Sequence, residues 1–236
     1  MSDPDREAAL RRLNEAYRQA AAFLRQTNRL LLTLGTADVF SLQKNNVIVA
    51  NCHKASAALF HERRLSVDET VAQLIDILQG LHQREPGLRA VLTVSPIRHL
   101  RKGPVANQRS KAVLVLACAE LCERLPFVSY FPAYELLLDD LRDYRFYQPD
   151  LTHPSGQAQD YIWQKFSETH FSPATLQLLQ RLRQLQSAVQ HRPFRPDSAE
   201  HRQFARRQID LIEGLQNEFP QLDFSAELAH FQHIIQ

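Results

Sequence analysis

Residues 30–36 read LLLTLGT and residues 89–95 read RAVLTVS. Each is a short apolar run that stops at Gly35 or just before Pro96, the pattern of a buried strand closed by a turn. Between them, Ser66 followed by Glu69 makes a capping box. Val67, Val71, Leu74, Ile75, Leu78 and Leu81 then recur at helical spacing as far as about Gly87. A third apolar run, FVSYF at residues 127–131, follows a helix expected over about 104–124. That helix has Pro104 in its first turn and an apolar face through Val113, Leu116, Leu121 and Leu125. Strands joined by helices of this length pair in parallel through right-handed crossovers, so the predicted class is α/β with helices on both faces of a parallel sheet. Residues 47–50 (VIVA) either extend that sheet or form only a loop.

Working outward, residues from Pro4 to about Arg25 place Leu10, Leu13, Tyr17, Ala20, Ala21 and Leu24 on one side of an amphipathic helix. After Thr152 the chain reads as helix throughout: residues 155–169, 173–191, 197–218 and 225–235. The break HRPFRPD at 191–197 contains two prolines, which predicts a helical hairpin packed on the α/β domain. A length of 236 residues suits one domain with a helical appendage rather than two full catalytic domains.

Composition narrows the function classes. The 28 basic and 26 acidic residues give a net charge of +2, which implies no broad basic face for nucleic acid. Cys52, Cys118 and Cys122 are too few, and odd in number, for a disulfide framework, so a reducing compartment fits. Cys118 and Cys122 stand at i, i+4 on one helix face, but no further Cys or His follows at ligand spacing; core packing is the expectation, with no metal and no cofactor. The start MSDPDREAALRRLNEAYRQ lacks the apolar centre of a signal peptide, and no run approaches the roughly 18 apolar residues of a membrane span. The expected location is cytoplasmic, with no membrane partner.

In an open parallel sheet, ligands bind beyond the carboxyl ends of the strands. Those segments are polar here: Gly35 and Thr36 with NCHK at 51–54, then SPIRH at 95–99, then residues 132–135 and RDYRFYQPDLTHPS at 142–155. Such a rim can hold a general base, an orienting carboxylate and oxyanion donors, the parts acyl transfer needs. Asp150 stands three residues before His153, a spacing that on a turn lets the carboxylate reach the imidazole and fix its tautomer. The plain alternative is a helix-capping Asp beside a surface His. Segments 51–54 and 95–99 also read as turns whose side chains satisfy local backbone. The run RDYRFY at 142–147 serves either to grip an anionic or sugar-like ligand or, the reading preferred here, for Arg–Asp pairing with aromatic packing.

Taken in order, TLGTADVF (33–40), VANCHK (49–54), TVSPIRH (93–99), SKA (110–112), YFPAYEL (130–136) and DLRDYRFYQPDLTHPS (140–155) resemble the GSCFA family, of the SGNH (GDSL-like) hydrolase superfamily. The resemblance covers roughly residues 10–171. It implies a flavodoxin-like three-layer α/β/α fold and a serine-esterase mechanism. It makes Asp150 and His153 the acid and base, puts oxyanion donors at the turn of Gly35, and makes Asn51 a side-chain donor. The superfamily's G-x-N-D pattern stands here as Gly35-Thr36-Ala37-Asp38. The G-S-C-F-A motif that carries the family's serine does not occur in the 236 residues. Three strands are also fewer than a doubly wound domain normally has. Both observations create the expectation of an absent N-terminal segment.

The leading expectation is therefore an α/β domain over residues 1–171 lacking its first strand, with a helical extension over 172–236. It would be the carboxyl-terminal portion of an SGNH-type hydrolase acting on an ester or acyl group, for instance on a saccharide. His153 and Asp150 are its catalytic candidates, and Gly35, Asn51, Ser95 and His99 its oxyanion or substrate candidates. Ser95 is also the best internal nucleophile, although a serine before Pro96 reads equally as a strand end. The alternative is an inactive domain of the same fold that serves as a protein-interaction module. A missing neighbour would leave the strand at 30–36 as an edge, open to solvent, covered by the first helix, or engaged in self-association.

Overall fold

The computed structural model describes residues 5–50 and 52–235. They form two compact units that divide at Gln164 and Lys165. The first opens with helix α1 (Arg6–Leu24), whose Asp5 side chain accepts a hydrogen bond from the Glu7 amide as an N-cap. Strand β1 (Arg29–Leu34) follows, then an antiparallel trio, β2 (Asp38–Leu42), β3 (Ile48–Val49) and β4 (Phe60–Arg64). Helix α2 (Val67–Arg84) leads to β5 (Arg89–Val94), and α3 (Pro104–Arg124) to β6 (Val128–Tyr130). The short α4 (Ala133–Glu135) widens into a π-helical turn over Leu136–Asp140, and α5 (Gly156–His170) runs across the division.

The three expected strands pair in parallel in the order β1-β5-β6, with Leu32 opposite Leu92 and Leu92 opposite Tyr130. Both crossovers step in the same direction across the sheet. Right-handed connections therefore bring α2 and α3 to one face, where they pack on each other. Strand alternation aims Leu30, Leu32, Leu34, Ala90, Leu92, Val94 and Val128 at that face, and with Val71, Leu78, Leu114, Cys118 and Leu121 they form the core. The molecule is thus α/β with a parallel sheet, followed by C-terminal helices.

Among the described residues β1 is an edge strand, paired with β5 alone. Arg89 N donates to Asn28 O and Ser95 N to Leu34 O, so the even-numbered residues of β1 face the ladder. The amides and carbonyls of Leu31 and Thr33 accordingly point to the free side. The Leu31 side chain, on the sheet face opposite α2 and α3, is 58% exposed. α1 forms as its spacing predicts, yet none of its residues is buried. An open cavity of about 660 Å³ separates Tyr17, Ala21 and Leu24 from Leu81 and Leu88.

Two details depart from the sequence reading. Residues 47–50 belong neither to the parallel sheet nor to a plain loop: Ile48–Val49 pairs with β2 in a second sheet of order β3-β2-β4. Strand β4 (FHERR) escapes a hydropathy reading because charge, not apolar alternation, fixes its register. Arg64 lies opposite Asp38 and grips it with bonds of 3.0 and 3.2 Å, while Arg63 reaches Glu69 at 2.7 Å. On α3 the buried face runs through Asn107, Lys111, Leu114, Cys118 and Leu121, and Leu116, expected inside, is 58% exposed. Two residues advance a helix by about 200°, so once Leu114 faces the sheet Leu116 must face away.

The second unit carries α6 (Pro173–Gln190), α7 (Ala199–Glu218) and α8 (Ser225–Ile235). Ser172 and Ser198 cap the first two of these by accepting hydrogen bonds from the amides of Thr175 and His201. Leu185, Ala205, Ile212, Leu215, Phe224 and Phe231 make its own core. Among the described residues no helix is long and apolar enough to cross a membrane.

Leu92 is fully buried at the centre of the ladder. Leu92→Ala is expected to lower unfolding free energy by about 2–5 kcal/mol in chemical denaturation. Leu31→Lys, on the exposed face of the edge strand, is expected to change it by no more than about 0.5 kcal/mol.

Candidate functional site

The parallel register carries β1 and β5 to the same level, so the turns that follow them, Gly35–Ala37 and Ser95–His99, lie side by side. Lys111 fastens them from below. This side chain is 1% exposed, and its Nζ donates to the carbonyl oxygens of Gly35 and Ser95, each at 2.6 Å. Among the described residues no carboxylate lies within ion-pair distance of it, and the ring of Tyr134 is 5.7 Å away. Burial pulls the Lys111 pKa down from 10.5 to about 8, so the group is still an ammonium at neutral pH.

The residues around Lys111 on α3 complete the fastening. Ser110 Oγ accepts from the Ala37 amide at 2.7 Å and lies 2.9 Å from Thr36 Oγ1. Asn107 Oδ1 accepts from the His99 amide at 2.9 Å. The Arg64–Asp38 pair holds the other flank, with Arg64 also donating to Ala106 O at 2.8 Å. His99 stands over Gly35: a Cβ added at that glycine would sit 3.5 Å from His99 Nε2. Burial, then the Lys111 charge, and to a lesser degree His153 lower the His99 pKa, with Asp38 partly opposing. Thr36 and His99 line a cleft of about 400 Å³ that also takes in Glu62, Arg101 and Lys102.

Asp150 and His153 meet as their spacing predicts. Asp150 Oδ1 accepts from the amides of Thr152 at 2.8 Å and His153 at 3.0 Å, and Asp150 Oδ2 lies 2.6 Å from His153 Nδ1. A positive φ of 56° at Leu151 makes the tight turn that closes this loop. Those two amide donors, with the imidazole, hold the Asp150 carboxyl far below the usual carboxylate range. A carboxylate can only accept, so His153 must carry its proton on Nδ1, which leaves the Nε2 lone pair free when the ring is neutral. The loop is tied to the β5 turn, since Arg98 N donates to Thr152 O at 3.1 Å and the Arg98 guanidinium lies 4.4 Å over the Tyr147 ring.

Of the other candidates read from the sequence, Gly35 and His99 fall at this rim. Ser95 is buried, and its hydroxyl accepts from the Ile97 amide at 3.2 Å, the geometry of a strand-end turn. Asn51 lies outside the described residues. Cys118 is a core residue whose thiol burial pushes up to about 12. Among the described residues no cluster of His, Cys, Asp and Glu is arranged to hold a metal ion. The sequence reading missed Asn107, Ser110 and Lys111 as rim residues. The available signal was a lysine on the buried stripe of an apolar helix, in line with Leu114 and Cys118.

The depressed Lys111 pKa has a signed consequence for stability. Between about pH 8 and 10.5 the folded chain has released a proton that the unfolded chain still holds, so this group makes stability rise with pH across that window. Chemical denaturation of wild type against Lys111→Met at pH 7.5, 9 and 10.5 is expected to show that upward contribution in wild type and its loss in the variant.

Comparisons with known proteins give a consistent assignment. The family model described as "GSCFA family" matches residues 1–166, and that described as "GSCFA domain protein, C-terminal domain" matches residues 182–236. No curated protein and no solved structure matches the chain. Since the first match alone covers well over half of its length, the chain belongs to the GSCFA family.

Proposed function

We propose that this chain is the carboxyl-terminal portion of an SGNH-type hydrolase that cleaves an ester or acyl bond, with His153 as general base and Asp150 as its orienting acid. The observation that carries the reading is the 2.6 Å contact between Asp150 Oδ2 and His153 Nδ1, with the second carboxylate oxygen fixed by two backbone amides. A carboxylate held this way stabilises the imidazolium that forms when Nε2 takes a proton, the task of the base in acyl transfer. The turn at Gly35 supplies a backbone donor for the developing oxyanion. The nucleophilic serine comes from outside these residues, on a strand added to the free edge of β1. A parallel strand there would end beside Gly35, the level at which the rim chemistry sits. The substrate is a small-molecule or saccharide ester.

A second reading keeps the fold and drops the chemistry, making the chain an interaction module. It draws on the free β1 edge and on the exposed stripe of α1, where Leu13 and Tyr17 are open to solvent.

Initial rates on p-nitrophenyl acetate separate the two. The 236-residue chain alone is expected to turn over no faster than its His153→Ala variant. A chain extended by an in-frame G-S-C-F-A segment is expected to gain at least about 100-fold, and to lose it on His153→Ala. An extended chain indifferent to His153→Ala would defeat the catalytic reading. Turnover by the 236-residue chain that vanishes on Ser95→Ala would place the nucleophile inside it instead.

A further inference from the structure

Lys111 has no role in the chemistry proposed above, yet among the described residues it is the one charged side chain that is buried. Its ammonium is enclosed, has no carboxylate partner among the described residues, and bonds to two backbone carbonyls in the separate turns that follow β1 and β5. An enclosed cation is destabilising unless its protons are well accepted. Here the two acceptors are the first carbonyls of the two rim turns.

The geometry of the peptide unit gives those bonds a directional consequence. In a trans peptide the C=O of one residue and the N–H of the next point in opposite directions. The Gly35 carbonyl is turned inward to Lys111 Nζ, so the Thr36 N–H is turned outward, away from the helix. Thr36 is exposed, lines the 400 Å³ cleft beside His99, and its amide has no hydrogen-bond partner among the described residues. The Ser95 carbonyl is held the same way but precedes Pro96, which has no N–H. The clamp therefore presents a single amide. Ser110, which holds the Ala37 amide at 2.7 Å, stops the next N–H from turning outward as well.

We propose that Lys111 is the positioning residue of the rim: it locks the Gly35–Thr36 peptide so that the Thr36 N–H faces the cleft as an anion donor, and its buried charge favours the negative oxygen that donor receives. The ligand class is a small oxyanion, whether a bound anion or the oxygen of a tetrahedral acyl intermediate. The second of these rests on the hydrolase reading; the first does not. Arginine is a poor replacement, because the larger planar guanidinium has to fit the enclosed space that now holds a compact ammonium.

The test is titration of the intact 236-residue chain with inorganic phosphate, followed by the backbone amide of Thr36 in 1H–15N NMR spectra. Wild type is expected to show a saturable shift of the Thr36 amide. Lys111→Met and Lys111→Arg are expected to weaken that response about tenfold, a change of about 1.4 kcal/mol. Residual phosphate effects at Arg101 and Lys102 should be the same in all three proteins. Should a variant fail to fold, wild type alone decides: through-bond coupling from Lys111 Nζ to the carbonyl carbons of Gly35 and Ser95, together with the Thr36 shift, supports the proposal. A wild-type titration that leaves Thr36 unmoved, or a folded Lys111→Met that responds as wild type does, overturns it. Lys111-dependent phosphate binding in a chain whose extended form never hydrolyses an ester keeps this proposal and removes the hydrolase reading.

Discussion

In-register pairing of β1 with β5 is the constraint from which the rest of the rim follows. Because Leu34 sits opposite Val94, the two chains leave the sheet at one level. Their polar turns then become neighbours without any long-range search. Two features tighten this. The apolar face of the ladder, with Leu92 and Val94 fully buried, fixes the register, since a one-residue slip would send every buried side chain to the opposite face. The Lys111 ammonium then joins the carbonyls of Gly35 and Ser95, so that the rim turns are cross-linked by a hydrogen-bonded cation rather than held by loop packing alone.

The electrostatics of the rim are arranged around that cation. His99, close to it and partly buried, is pushed toward its neutral form, whereas Asp150 is stabilised as a carboxylate by two amides and the imidazole. The result is a carboxylate and a histidine of fixed tautomer on one side, and a backbone turn over a buried positive charge on the other. Groups whose environments drive their protonation states apart are the usual mark of acid–base chemistry. The parallel sheet positions these groups, and the antiparallel trio β2–β4 braces them through Arg64, Asp38 and Ala106.

Much of this was legible in the residues. LLLTLGT, RAVLTVS and FVSYF read as strands and the intervening segments as helices, because apolar runs and helical periodicity are strong where a core is buried. The Asp150 to His153 contact was legible because three residues of turn leave few ways to place a carboxylate and an imidazole. The antiparallel trio was not legible: its pairing depends on Arg64 meeting Asp38, a contact 26 residues apart in sequence that leaves no periodic trace. Nor was the clamp legible from propensity, because a lysine on a helix reads as surface until the helix's rotation is known. The exposure of Leu116 and the burial of Lys111 are two consequences of that same rotation.

The central claim is that Asp150 holds His153 as the Nδ1–H tautomer at the rim. The direct measurement is the imidazole 15N and 1H NMR spectrum of the chain labelled at histidine. The account predicts a downfield proton bonded to His153 Nδ1, an unprotonated Nε2 in the neutral ring, and loss of that proton signal in Asp150→Ala. A His153 ring protonated on Nε2, or a spectrum unchanged by Asp150→Ala, would contradict it.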